Sequence, residues 1–269
     1  NPFFVKQFIK TLYDRKLLVF NESRQEINSS LTREWHWDLN KIKLLEMTHN
    51  VVDLMIEKIN SLESPTISVL KKCACIGSIF DMDSLRILSN TPLENLLNEL
   101  NKAIKSGIIF QIGNKYKFAH DKIHETLYSM ISDEEKSNTH YHIGYYLLEK
   151  YEDSKNVGYN IFNITNHLNY SITLFKELDE KIQLAALNLQ AGLQAKSSSA
   201  FKEAFHFFDI GISLTKDTSW ENNEDLLYSL HIEYGEAAFL IGNVDFANKI
   251  LDVILNEAKS LLKKIKVYE

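Results

Sequence analysis

Proline occurs three times and glycine nine times in 269 residues. So few chain-breaking residues exclude a fold of many short strands and turns and favour long helices. The cysteines are Cys73 and Cys75. In Cys-Ala-Cys on a helix the two side chains point about 200° apart, which suits neither a shared zinc nor a disulfide. They read as small buried hydrophobes, compatible with a reducing compartment. Arginine is confined to Arg15, Arg24, Arg33 and Arg86, no Lys/Arg run occurs, and the net charge is −6. Arginine is the preferred reader of base edges and phosphates, so nucleic acid is not an expected partner. No apolar run reaches the length of a membrane span and no signal peptide is visible, so the segment reads as soluble, cytoplasmic and free of membrane. The opening Asn1-Pro2-Phe3-Phe4, without an initiator Met, reads as an internal piece of something larger. Neither Gly-x-x-x-x-Gly-Lys-Ser/Thr, nor Gly-x-Ser-x-Gly, nor the protein-kinase signature set is present. The chain by itself is therefore expected to be no enzyme, with no catalytic residue.

What is present is 45% hydrophobic sequence, enough for a full core. Residues 1–16 carry Phe4, Phe8 and Leu12 at helical spacing, with Pro2 suited to a first turn. Leu17–Phe20 and Glu34–Asp38 read as strands joined by a mobile polar loop over Asn21–Arg33, with Trp35 and Trp37 packing one sheet face. Four short helices follow. The first is marked by Val51, Met55, Ile59 and Leu62, and the second runs from Pro65 to Gly77. The third covers Asp83–Leu88, and the fourth Pro92–Ser106 stops at Gly107. A hairpin comes next, Ile108–Gln111 and Tyr116–Phe118 joined through Gly113-Asn114. Helices followed by a small hairpin form the winged-helix arrangement. The helix before the wing carries Glu94, Glu99, Lys102 and Lys105, a balance that fits protein packing better than DNA.

Beyond residue 133 the chain reads as helical throughout. Leu187, Leu189, Gly192, Ala195, Ala204, Phe208 and Ile212 recur as Leu230, Ile232, Gly235, Ala238, Ala247, Leu251 and Leu255, at one interval (230 − 187 = 43). Small residues let two helices approach closely, and the large ones fill the space between successive pairs. This is the logic of a tetratricopeptide-like solenoid, with a longer period than the usual ~34 residues.

Phe118-Ala119-His120-Asp121 stands where the hairpin ends and an apolar-periodic helix begins, with Ile123, Leu127, Met130 and Ile131. Helix N-termini carry unpaired N–H groups and partial positive charge, which suit an anion, and an imidazole can add a hydrogen bond. The competing reading makes Asp121 the helix cap and His120 a surface filler. His120 and His124 are also spaced i, i+4 as in a metal site, but Asp121 occupies the place of the zincin glutamate, so no metal is expected. His140 and His142 lie on different faces of a helix.

From end to end the chain resembles the region after the nucleotide-binding core in signal-transduction ATPases of the STAND class, as found in very large bacterial sensor kinases. In those, a serine/threonine-kinase-like domain precedes an AAA-like ATPase, and a helical region, a GAF domain and a histidine kinase follow. Asn1-Pro2-Phe3-Phe4 looks like the tail of the family's Gly-Asn-Pro-Phe-Phe motif, which helps form the lid over the adenine. Leu17–Phe20 with Trp35–Asp38 is similar to the lid hairpin. Asn50–Met55 and Cys73–Asp81 are similar to the start of the winged helix, Tyr116–Asp121 to the wing exit, and Ala185–Gly192 to the first repeat. His120-Asp121 resembles the Met-His-Asp motif, whose His contacts the β-phosphate of ADP; here Ala119 replaces the Met.

The expectation is a mainly α protein in three parts. Residues 1–46 would be the end of an ATPase lid, 47–132 a winged helix with a small hairpin, and 133–269 a tetratricopeptide-like helical-repeat arm. The resemblance implies a regulatory segment that couples nucleotide state to partner binding or kinase output. Pro2, His120 and Asp121 would face ADP or ATP held by a neighbouring nucleotide-binding domain, and the arm would carry a protein partner. The alternatives are a free-standing helical-repeat adaptor and a DNA-binding regulator of STAND type.

Overall fold

The computed structural model describes residues 5, 9, 12, 13, 16–24, 31–44, 51–89, 91–154 and 161–268. The helix expected over 1–16 therefore falls largely outside the described residues, as does Pro2. An antiparallel ribbon of β1 (Leu18–Arg24) and β2 (Leu31–Trp37) comes first, in register from Leu18↔Trp37 to Arg24↔Leu31. Much of the polar stretch expected to be a loop is thus ladder. Strand pairing satisfies backbone groups whatever the side chains are, so a ribbon needs no apolar alternation to persist. Trp35 rests on Phe20 and edge-on against Tyr13, with ring centroids 4.9 and 6.1 Å apart. Trp35 and Trp37 both remain exposed rather than packed beneath a core. Asp38 then accepts from the N–H groups of Asn40 and Lys41, capping α1 (Leu39–Leu44).

Helices α2 (Val51–Asn60) and α3 (Ser64–Ile76), strand β3 (Ile79–Asp81), helices α4 (Met82–Ile87) and α5 (Leu93–Ser106), and strands β4 (Ile109–Ile112) and β5 (Lys115–Phe118) form the winged helix. Pro65 occupies the first turn of α3, where its missing N–H costs nothing. Asp81 accepts from the Ser84 N–H and starts α4. Gly107, at φ 73°, adopts the left-handed conformation that closes α5. The sheet order is β3-β5-β4, all antiparallel. Strand β3 is absent from the sequence reading: three residues between two helices carry no period to detect. The sheet's inner face, with Phe80, Tyr116, Phe118 and Ile109, packs on Leu70, Cys73, Leu85, Leu96, Leu100, Ile123 and Leu127. Cys73 and Cys75 are buried and free, as small hydrophobes, and burial pushes both thiols up, that of Cys75 to about 12. Thr66 donates to Glu99 at 2.5 Å, and Lys102 bonds Glu63 and Glu99, so two of the charges of α5, Glu99 and Lys102, tie it to the start of α3.

Helix α6 (Asp121–Ser129) leaves the wing and leads into antiparallel pairs: α7 (Asp133–Ser154) with α8 (Ile161–Tyr170), α9 (Leu178–Ser197) with α10 (Phe201–Leu214), and α11 (Trp220–Leu240) with α12 (Val244–Glu257). The short α13 (Leu261–Ile265) follows. The molecule is mainly α, a winged helix followed by tetratricopeptide-like repeats. Gly192 of α9 lies against the ring of Phe208 in α10, and Gly235 of α11 against Leu251 in α12, as the 43-residue frame requires. A third pair escapes that frame: Gly144 of α7 lies against Leu168 of α8. Between the winged-helix core and the arm core sits a small bridging cluster of Cys75, Ile131 and Ile143. No helix among the described residues is long and apolar enough to cross a membrane.

Candidate functional site

Helix α6 joins the wing to the arm, and one of its faces carries His120, His124 and Tyr128 at i, i+4 and i+8, so the three stack along one side. The adjoining side is core, with Ile123 and Leu127 buried and Tyr128 packed at its margin. Met130, expected in that apolar stripe, is instead the exposed C-cap, and Ile131 is the residue that turns inward. The helix has run out by then, so the period no longer sets direction.

His120, not Asp121, is the N-cap: its Nδ1 accepts from the Lys122 N–H at 3.1 Å. Asp121 occupies the first turn, where a carboxylate is favoured by the helix dipole. The bond has a consequence for the imidazole. With Nδ1 accepting, the hydrogen of the neutral ring lies on Nε2, which is then a donor. Beside it, Lys122 pairs with Glu125 at 2.5 Å, and that bond holds the Glu125 carboxyl below the ordinary range.

One turn on, His124 Nε2 donates to the Ala74 carbonyl at 2.8 Å. Ala74 lies in the last turn of α3, where carbonyls lack helical partners, so His124 caps α3 from the side. The i, i+4 pair of histidines is thus two caps on two helices. Among the described residues no group of three or more His, Cys, Asp or Glu converges as a metal site.

At the far end of the face, Tyr128 reaches the arm. Its hydroxyl lies 2.9 Å from Nε2 of His140 in α7, whose Nδ1 lies 2.7 Å from Nδ1 of His167 in α8. Tyr170 closes the cluster, 4.3 Å from His140 and 6.3 Å from Tyr128 between ring centroids. Lys136 stands 5.0 Å over the Tyr128 ring. Burial, helped by the charge of Lys136, pushes His140 down to about 4. Burial and His140 do the same to His167. Both rings are therefore neutral near pH 7, and one donates its Nδ1 hydrogen to the other. A cleft of about 200 Å³ lined by His140, Asn163, Asn166, His167 and Tyr170 opens beside them.

The structure thus places His120 and Asp121 together at one end of α6. Tyr128, His167 and Tyr170 were missed in the sequence. The i, i+4, i+8 spacing of His120, His124 and Tyr128 was a visible signal, while the pairing of His140 with a residue of the next helix was not.

No family model matches this chain, and no solved structure matches it. The chain is similar to "Hybrid signal transduction histidine kinase G" of Dictyostelium discoideum, at 28% identity over 320 residues. The match covers 96% of this chain and 9% of that protein, so the chain spans under a tenth of its relative's length.

Proposed function

We infer that the chain is a regulatory segment of a longer cytoplasmic signalling kinase of the STAND kind. In this reading the winged helix senses the nucleotide held by a neighbouring domain, and the arm passes that state to a protein partner or to kinase output. The observation that carries it is the double attachment of α6. Its first residue is a histidine cap whose tautomer leaves Nε2 a donor, and its last turn bonds the arm through Tyr128. Similarity to a hybrid signal transduction histidine kinase along nearly the whole chain supports the setting.

ADP bound by the neighbouring domain would bring its β-phosphate to the N-terminus of α6. There the helix dipole and the Nε2–H of His120 would favour an anion. Asp121 would fix the first turn and Pro2 would close the lid over the adenine. The chain alone would hold no nucleotide, because no phosphate-cradling loop is in its sequence.

Two substitutions separate the phosphate contact from the cap. His120→Asn keeps a good capping side chain but loses the donor at that reach, and His120→Ala loses both. A charge-assisted hydrogen bond is worth about 1.5–3 kcal/mol. Both variants of the full-length parent should therefore bind ADP roughly ten- to a hundredfold more weakly by calorimetry. In the isolated chain only His120→Ala should lose stability, by the ~1 kcal/mol of a lost cap, read as a lower melting temperature. Unchanged ADP affinity in both variants would reduce His120 to a cap and remove the nucleotide-sensing reading.

A further inference from the structure

The outer face of the winged-helix sheet breaks the rule that its inner face obeys. In an antiparallel sheet packed on one side, outward positions alternate with the core and are polar. The register aligns Ile79, Lys117 and Phe110 in one outward row, and Asp81, Lys115 and Ile112 in the next. Ile79 is 49% exposed, Phe110 40% and Ile112 53%. Three large apolar side chains thus occupy both margins of a face whose centre is Lys115 and Lys117. The inward residues between them, Phe80, Tyr116, Phe118 and Ile109, are all buried, so the strand register is fixed and the outward set is not a slipped core.

Charge sets the face apart as well. The chain as a whole carries −6, and neither Lys115 nor Lys117 makes an ion pair among the described residues. The acidic group of the face, Asp81, is engaged at its own edge, where Oδ1 accepts from the Ser84 N–H at 2.8 Å. The exposed charge in the middle of the face is therefore positive. Three strands span two inter-strand spacings, about 10 Å, which is the diameter of one helix.

We propose that this face, Ile79, Phe110 and Ile112 around Lys115 and Lys117, is a docking surface for an acidic amphipathic helix of a partner protein. Carboxylates of the partner lie over the lysines of β5, and its apolar side chains cover the margins on β3 and β4. The lysine stems add apolar contact beneath their charged heads. The proposal is independent of nucleotide sensing, since His120 lies beyond the end of β5 and contributes nothing to the face.

The test uses the whole 269-residue chain and two synthetic helical peptides of one apolar pattern, one with Glu and one with Lys at the intervening positions, read by fluorescence anisotropy. The chain should bind the Glu peptide and discriminate against the Lys peptide. The pair Phe110→Ser and Ile112→Ser should weaken Glu-peptide binding about tenfold or more, as loss of central apolar anchors does. The pair Lys115→Glu and Lys117→Glu should invert the preference, so that the Lys peptide now binds. All four changes are outward, so the variants should stay folded with cooperative melts, the lysine pair losing slightly because Lys115→Glu faces Asp81. Failure to bind the Glu peptide, or equal binding of both peptides, would overturn the proposal. So would displacement of the Glu peptide by a DNA duplex, which would make the face a nucleic-acid surface. Concentration-dependent dimerisation abolished by Phe110→Ser and Ile112→Ser would overturn it too, since a second copy would then be the occupant.

Discussion

Asn188 is a fully buried amide in the arm, and its hydrogen bonds explain how it is tolerated. Asn169, at the end of α8, donates to the Asn188 oxygen at 2.8 Å, and Asn188 donates back to the Asn169 oxygen at 2.8 Å and to the Leu184 carbonyl at 2.9 Å. A reciprocal amide pair satisfies both groups only in one register, so it fixes how α9 sits on α8. The cost of breaking it is asymmetric. Asn169→Ala leaves the deeper amide without its partner and should cost about 1–3 kcal/mol. Replacing both with Leu removes both unmet demands and should cost less than Asn169→Ala alone. Urea unfolding of the single and double variants, analysed as a cycle, measures the difference. Additive losses would mean that the pair contributes no coupling.

At the scale of elements, the arm is built on one device used three times, a glycine on the first helix of a pair meeting a large side chain on the second. The three sites differ in how much they can yield. A Cβ at Gly192 would overlap the ring of Phe208, which is rigid and wholly buried, whereas at Gly235 it would meet Cδ2 and Cγ of Leu251 at 2.7 and 2.8 Å, a side chain that is only half-buried and can turn toward solvent. Overpacking costs about 1–3 kcal/mol, and alanine regains roughly 0.8–1 kcal/mol of helix propensity over glycine. Gly192→Ala should therefore lower the melting temperature by several degrees, while Gly235→Ala should leave it nearly unchanged. Thermal melts followed by circular dichroism check the ordering, and equal losses would contradict it. The same device shows what the sequence could reveal. The second and third uses share a spacing (208 − 192 = 16 and 251 − 235 = 16) and so surface as a repeat. The first does not (168 − 144 = 24), because a longer α7 and a longer connection carry Leu168 out of frame. Helices with glycine and proline punctuation were legible for the same reason, as were the wing and its exit at His120. Strand β3 and the polar parts of β1 and β2 were not, since backbone pairing leaves no mark on side-chain pattern. The His140–His167 contact crosses between helices, and no local spacing encodes it.

For the whole molecule, the joint between winged helix and arm is the feature that pH should reach first. Tyr128 from α6, His140 and Lys136 from α7, and His167 and Tyr170 from α8 face one another there. Asp133 adds its charge near Tyr128, whose hydroxyl is pushed well above its ordinary range chiefly by burial and then by Tyr170. Both imidazoles titrate near 4 in the folded chain against 6.5 when unfolded. Between those values the unfolded chain binds protons that the folded chain refuses, so stability falls as pH drops below 6.5 and levels off near 4. Above 6.5 the pair contributes no slope. At about 1.4 kcal/mol per pH unit, the loss from pH 7 to pH 5 is on the order of 2 kcal/mol for each imidazole. The second proton is the more damaging, because two imidazolium Nδ1–H groups would then point at each other across the 2.7 Å contact. Carboxylates held below their ordinary range, such as Glu99, add their own loss only at lower pH, below about 4.5. His231, which burial also lowers, adds a loss of the same sign that likewise begins as pH falls below 6.5. Melting temperatures of the unmodified chain should therefore fall steadily from pH 7 to pH 5. A double variant, His140→Gln with His167→Gln, should flatten most of that slope and leave a remainder from His231. If the double variant kept the full slope, the pH dependence would lie outside the joint and the neutral histidine pair would not be what holds α6 to the arm.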